Sequence, residues 1–213
     1  MPADPPHEFV TRGGLKLRHA LDAFALDVRG LTCADLGCHM GGFTDCLLRA
    51  GAARVYAVDT AHGQLAWSLR QDPRVVVMER TNALHAAPPP GGVDVVTADL
   101  GWTPQRRLVP AALRWLKPGG RIVSLIKPHY EAAALGPRSA PPGGVLAADE
   151  AERVVRRVLG EMPALGAAVL GLTRSPIAGG VTRRRGAAGN AEWLALLAAH
   201  STSTLDDSGP SGG

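Results

Sequence analysis

The stretch Asp35-Leu36-Gly37-Cys38-His39-Met40-Gly41-Gly42-Phe43-Thr44 does most to limit what this chain can fold into. An apolar run over residues 31–36 enters it, and an amphipathic segment over 43–50 leaves it. Together they read as a strand, a glycine-rich turn and a helix start, the unit that brings backbone close to a nucleotide-like ligand. Glycine supplies the positive φ and the missing Cβ that such an approach needs. The spacing matches neither G-x-x-x-x-G-K-[ST] nor a strict G-x-G-x-x-G, so the ligand need not carry a pyrophosphate.

Beyond this turn, apolar runs alternate with amphipathic ones. Strands are expected at 54–58, 74–78, 93–98 and 121–126, in addition to 31–36. Helices are expected at 14–24, 43–50, about 64–70, 105–116 and 148–159, the fourth closing at Lys117-Pro118-Gly119-Gly120. The last of these carries Val154, Val155, Val158 and Leu159 on one face and Glu152 to Arg156 as an i,i+4 pair. Residues 135–145 read as loop from their Pro and Gly content. Two final apolar runs, 167–172 and 192–197, have no helix between them and are expected to pair as an antiparallel hairpin. The result is an α/β fold, a Rossmann-like, mostly parallel seven-stranded sheet with a final antiparallel hairpin and helices on both faces. With 213 residues, one domain over 11–200 is expected, between a flexible N-terminus at 1–10 and a disordered polar tail at 201–213.

Composition narrows the function classes. No apolar run approaches membrane-span length, and the Pro-rich start lacks a basic-then-apolar signal pattern. Cys33, Cys38 and Cys46 lack metal-site spacing, and an odd count argues against a disulfide framework, so a reduced, cytoplasmic setting is expected. Cys38 and His39 are adjacent with no further spaced ligands, and no metal is expected. The net charge of +4 permits an anionic partner without demanding one. Nothing here sets the oligomeric state.

In a parallel sheet, ligands bind outside the carboxyl ends of the strands. Gly37, Asp59, Asp99 and Lys127 all fall just past predicted strand ends, and the hairpin would bring Glu192 to the same edge. Asp59 can accept both ribose hydroxyls of a nucleoside or simply cap the next helix. Asn82 can bond an adenine edge or serve as a turn residue. Lys127 follows a very apolar strand, as a snorkelling edge residue or as a functional amine in a partly dry site. Lys16, if the first helix lies over the edge, would lower the Lys127 pKa, whereas Asp99 and Glu192 would hold it charged. Arg183, Arg184 and Arg185 form either a solvated loop or a phosphate contact beside this edge.

The chain resembles the FtsJ-like ribose 2′-O-methyltransferases, most closely their TlyA (hemolysin A) branch. The resemblance runs from about Thr11 to Leu197 and rests on several motifs. These include Thr-Arg-Gly-Gly-Leu-Lys-Leu from Thr11, Gly-Gly-Phe-Thr-Asp-Cys-Leu-Leu from Gly41, Val-Tyr-Ala-Val-Asp ending at Asp59 and Asp-Pro-Arg-Val-Val-Val-Met-Glu-Arg-Thr-Asn ending at Asn82. Ala98-Asp99-Leu100, Lys127-Pro128-His129-Tyr130-Glu131 and Gly189-Asn190-Ala191-Glu192-Trp193 complete the set. Members of that branch begin with a small RNA-binding domain, whereas here the catalytic pattern starts almost at residue 1. The resemblance implies a class I methyltransferase fold, a Lys-Asp-Lys-Glu tetrad at Lys16, Asp99, Lys127 and Glu192, and S-adenosylmethionine as cofactor. It implies cofactor contacts from Asp35, Gly37, Cys38, Gly41, Gly42, Phe43, Asp59, Asn82 and Asp99. It implies an RNA substrate, ribosomal RNA or a ribosomal subunit, met by Arg12 and Arg183 to Arg185. A same-fold O-methyltransferase for a peptide or natural-product acceptor, and a non-catalytic RNA or ribosome adaptor, are the competing readings.

Overall fold

A computed structural model describes residues 8–135, 145–179 and 189–200. The chain runs α1 (Gly13–Ala23), β1 (Thr32–Leu36), α2 (Gly42–Arg49), β2 (Arg54–Val58), α3 (Trp67–Arg70), β3 (Val75–Met78), β4 (Val93–Ala98) and α4 (Gln105–Leu113). It continues through β5 (Leu116–Ile126), α5 (Pro128–Ala133), α6 (Ala148–Glu161), a 3₁₀ turn (Pro163–Leu165), β6 (Ala167–Arg174) and β7 (Trp193–Ala199). The seven strands form one sheet in the order β3-β2-β1-β4-β5-β7-β6. β1 to β5 pair in parallel, and β7 inserts antiparallel between β5 and β6. This is the doubly covered, mostly parallel sheet with a terminal antiparallel hairpin that the hydrophobic pattern predicts.

Strand alternation divides the core in two, because successive side chains leave a strand on opposite faces. Val95, Val123 and Leu194 pack with Leu17, Leu21, Phe43, Leu47 and Leu69 from α1, α2 and α3. Their neighbours Val96, Ile122 and Ala195 pack on the other face with Leu108, Val155 and Met162 from α4, α6 and the turn after it, around the fully buried Trp115.

Four elements differ from the sequence expectation. α4 ends at Leu113, and β5 begins at Leu116 rather than residue 121. Val93 donates its N–H to the Trp115 carbonyl at 2.7 Å, so the β4 partner recruits this segment into the sheet. Lys117-Pro118-Gly119-Gly120 is taken up in a register shift opposite Val93 and Val95. α3 shrinks to a single turn, since Leu65 is already turned inward to pack beneath Gly41. α5 was not expected at all. It is six residues long, too short for a helical period to show, and starts because Pro128 at its first position pre-sets a helical φ. Of the N-terminal segment expected to be flexible, residues 1–7 lie outside the described residues, as do the tail from 201 and residues 136–144 of the expected loop; Phe9 is buried, and the Val10 amide donates to Asp45 Oδ2 at 2.9 Å.

Two glycines test whether packing or backbone freedom governs these sites. A Cβ on Gly42 would lie 2.2 Å from Thr11 Oγ1 and 3.0 Å from the Gly14 nitrogen, so Gly42→Ala separates α1 from α2. It is expected to destabilise the protein by about 1–3 kcal/mol in urea unfolding. Gly160 lies inside α6, where an added Cβ meets nothing within 4 Å, so Gly160→Ala is expected to stabilise by ~0.5–1 kcal/mol through helix propensity.

Candidate active site

The carboxyl ends of β1, β2, β4 and β5 open into a cavity of about 620 Å³. Gly37, Asp59, Asn82, Asp99 and Lys127 line it, with Arg107 at the start of α4. A smaller pocket of about 90 Å³, lined by Thr11, Gly13, Cys38, Met40, Gly42 and Phe43, shares Gly37, His39 and Asp99 with it.

The glycine-rich turn is built by the chain's own contacts. Gly37 has φ +86°, and a Cβ there would stand 2.6 Å from the Asp99 carbonyl oxygen. The amides of Gly37 and Cys38 both donate to the Val58 carbonyl, at 2.8 and 3.1 Å, which carries the turn over onto β2. Gly41, at φ +97°, sits against Leu69, and Gly42 against Thr11. Both are therefore glycines because α3 and α1 approach closely, a demand the sequence reading had placed on the ligand. Asp59 accepts the amides of His39 and Ala61, each at 2.8 Å, and so ties the turn to the end of β2. Asn82 accepts the Leu84 amide at 3.0 Å and lines the cavity at the same time, so it is a turn residue and a wall residue together.

Asp35 does not reach the cavity surface. It is fully buried beneath the turn, where Thr44 donates to Oδ2 at 2.7 Å and Thr97 to Oδ1 at 3.2 Å. Burial pushes its carboxyl up to about 7, against an ordinary 3.8, and the two hydroxyls only partly offset this. Arg12 is exposed at the N-terminus of α1 and lines neither cavity. Arg183, Arg184 and Arg185 lie outside the described residues.

Lys16, Asp99, Lys127 and Glu192 meet at the edge as two ion pairs. Lys16 Nζ donates to Glu192 Oε2 at 2.5 Å, and both side chains are buried. Lys127 Nζ donates to Asp99 Oδ1. Burial pulls the Lys127 pKa down, but the Asp99 carboxylate, with Glu192 behind it, outweighs burial and holds the ammonium above the ordinary lysine range. Burial also raises Glu192, and Lys16 opposes that rise. The competition left open by the sequence is thus decided in favour of the carboxylates.

An aromatic tier beside these pairs escaped the sequence reading. Trp102 is 77% exposed, adopts φ +56° and stacks on Tyr130 with ring centroids 4.3 Å apart. Tyr130 in turn leans on His129 at 4.2 Å, and Lys127 Nζ lies 5.5 Å from the Tyr130 ring centre. The available signal was an exposed tryptophan three residues past Asp99 and a tyrosine three past Lys127, in a chain that is only 4% aromatic. Arg107 also went unnoticed, because nothing local distinguishes it from Arg106. Among the described residues no cluster of His, Cys, Asp or Glu is arranged to hold a metal, and no helix is long and apolar enough to cross a membrane.

Residues 9–185 match the family model described as FtsJ-like methyltransferase. The chain is 40% identical over 209 residues to the 16S/23S rRNA (cytidine-2'-O)-methyltransferase TlyA of Mycobacterium tuberculosis, covering 97% of this chain and 74% of that protein. It is 33% identical over 192 residues to Hemolysin A of Brachyspira hyodysenteriae, covering 88% and 76%. A solved structure from Lactococcus lactis, titled as a candidate hemolysin, superposes with a TM-score of 0.80 at 38% identity, covering 90% of this chain and 89% of that one.

The buried Asp35 makes a pH prediction. Its folded pKa lies above its ordinary value, so between about pH 4 and 7 the folded state holds a proton that the unfolded chain releases. Stability therefore falls as pH rises through that window. Asp35→Asn keeps partners for Thr44 and Thr97 and carries no charge. It should gain on the parent protein by about 1–4 kcal/mol between pH 5 and pH 8 in urea unfolding. A pH-independent difference would contradict the assignment.

Proposed function

Because this chain belongs to the FtsJ-like methyltransferase family, we propose that it transfers the methyl group of S-adenosylmethionine to a ribose 2′-hydroxyl of RNA, in ribosomal RNA or a ribosomal subunit. The observation that carries this reading is the pairing of Lys16 with Glu192 and Lys127 with Asp99 at the mouth of the cavity, beside an exposed aromatic tier. A cavity of about 620 Å³ with a carboxylate at Asp59 and an amide at Asn82 suits the size and polarity of an adenosyl group.

Asp59 would accept the cofactor's ribose hydroxyls, Asn82 would meet the adenine edge, and the Gly37 to Gly42 turn with Cys38 and Phe43 would hold the amino-acid portion. When bound, S-adenosylmethionine supplies an electrophilic methyl group. The remaining work falls to the protein, and most of it is positioning, since direct displacement needs the acceptor oxygen aligned behind that methyl. Lys127 would take the hydroxyl proton as the oxygen attacks. Asp99 and Glu192 would hold the lysine at the required angle, and Lys16 would balance the charge of Glu192. Lys127 rests as an ammonium, so it must first release a proton to solvent to act as a base. Trp102 would offer its free face to a nucleobase, in the manner of single-strand RNA recognition by aromatic stacking.

Labelled S-adenosylmethionine incubated with ribosomal subunits, followed by mapping of the modified nucleotide, tests the proposal. Transfer to a 2′-oxygen is the expected result, and absence of transfer to any RNA with cofactor binding intact would reject it. Lys127→Ala is expected to lower kcat by roughly 10²–10⁴ while leaving the cofactor Kd unchanged. In the parent enzyme, log kcat/KM should climb with pH through neutrality, because the base form of Lys127 grows until its raised pKa is passed. Trp102→Ala should weaken RNA binding by about 1–3 kcal/mol, seen as a raised KM for subunits.

A further inference from the structure

Arg107 lines the main cavity from the first turn of α4, and no step of the transfer uses it. The lack of a carboxylate partner does not mark it, because Arg54, Arg80, Arg106 and Arg114 are also exposed without an ion pair among the described residues. What marks it is its place. The neighbouring Arg106 lines a separate groove, with Glu131 of α5 and Val154, Arg157 and Glu161 of α6.

The contacts of α4 show which side of the cavity Arg107 meets. Arg107 and Arg114, the residue that ends the helix, are seven positions apart and so share one face. Arg114 donates to the Leu84 carbonyl at 2.7 Å, which fixes the segment after β3 against that face. Asn82 tightens the same segment, its Oδ1 accepting the Leu84 amide at 3.0 Å and its carbonyl the His85 and Ala86 amides at 2.9 Å. Ala83 is buried in one cluster with Leu108 and Ala112 of α4. Arg107 therefore meets the cavity on the side of residues 81–84. In the sheet order, β2, β1 and β4 separate the end of β3 from the end of β5, which carries Lys127.

The groups gathered on that side suit a purine. Leu84 and Leu100 supply apolar walls, and Asn82, Thr103 and Arg107 supply polar groups. A guanidinium only donates, and the ring nitrogens of adenine only accept. The positive sulfonium must lie near the attacking oxygen, hence on the Lys127 side. A second cation costs least at the far end, where the base would lie.

We propose that Arg107 binds the nucleobase of the cofactor, donating to a ring nitrogen of adenine. The inference rests on the reading of S-adenosylmethionine as methyl donor. In this role Arg107 anchors the end of the cofactor remote from the chemistry and makes the cavity select a base with an acceptor nitrogen.

Calorimetric titration of S-adenosylmethionine, S-adenosylhomocysteine and methylthioadenosine into the parent protein, Arg107→Ala, Arg107→Lys and Arg106→Ala tests this. Methylthioadenosine keeps the nucleoside and lacks the amino-acid carboxylate. Arg107→Ala is expected to raise Kd about ten- to hundredfold for all three ligands, the loss of one hydrogen bond from a charged donor. Arg107→Lys should recover part of that loss, and Arg106→Ala should match the parent. Because Arg107 is exposed, the urea midpoint of Arg107→Ala should stay at the parent value. An equal loss in Arg106→Ala, or a loss confined to the two ligands that carry a carboxylate, would overturn the assignment. So would an unchanged Kd with a raised KM for ribosomal subunits, which would place Arg107 on RNA instead. If the parent protein binds none of the three ligands, the cofactor reading fails, and the assignment fails with it.

Discussion

The ion pair between Lys16 and Glu192 joins residues 176 positions apart in the chain and closes the molecule around its site. It fastens the first helix to the first residue before the antiparallel strand β7, which itself lies between β5 and β6. Both partners are buried, so neither is stable alone. Removing one partner of such a pair strands the other charge, at a cost of about 3–5 kcal/mol. The position of α1 therefore depends on the terminal hairpin having formed, and the hairpin's edge depends on α1. Thr11 and Gly13 follow from the same placement, since the start of α1 also forms one wall of the smaller pocket.

Charge at the cavity mouth is organised around that contact. Two ammoniums and two carboxylates alternate at one edge, and the net effect on Lys127 is to keep its proton despite burial. Asp35, one layer below, lacks a cation, and burial raises its pKa toward the neutral, protonated carboxyl. Burial is the common opposing influence at both places, and what differs is the partner. A lysine in such a setting is a positioned acid at rest and becomes a base only after giving up a proton. Beside this centre stands the Trp102–Tyr130 stack, with Trp102 largely exposed.

Much of the fold was legible because a parallel sheet covered on both faces leaves simple marks. Apolar strands ending in Asp59, Asp99 and Lys127 alternate with amphipathic helices, and the missing helix between the last two apolar runs signals the hairpin. Elements formed by a partner's demand left no such mark. The early start of β5 depends on the Val93 amide reaching the Trp115 carbonyl, a bond between segments far from obvious in one dimension. The short α5 has too few residues to display a period. The role of Gly41 and Gly42 was legible as a need for glycine, while the cause, contact with Leu69 and Thr11, exists only once α3 and α1 are in place.

What the sequence determined by itself was the strand-and-helix order, the family resemblance carried by its motifs, and the residues that topology must bring to one sheet edge. Those follow from hydrophobic period and strand direction, which are local properties. Tertiary structure alone decided which lysine pairs with which carboxylate, that Asp35 lies beneath the turn rather than in it, and that Trp102 and Tyr130 stack. Each of these turns on distances of a few ångströms between residues remote in the chain, and on the balance between desolvation and neighbouring charge that such distances set.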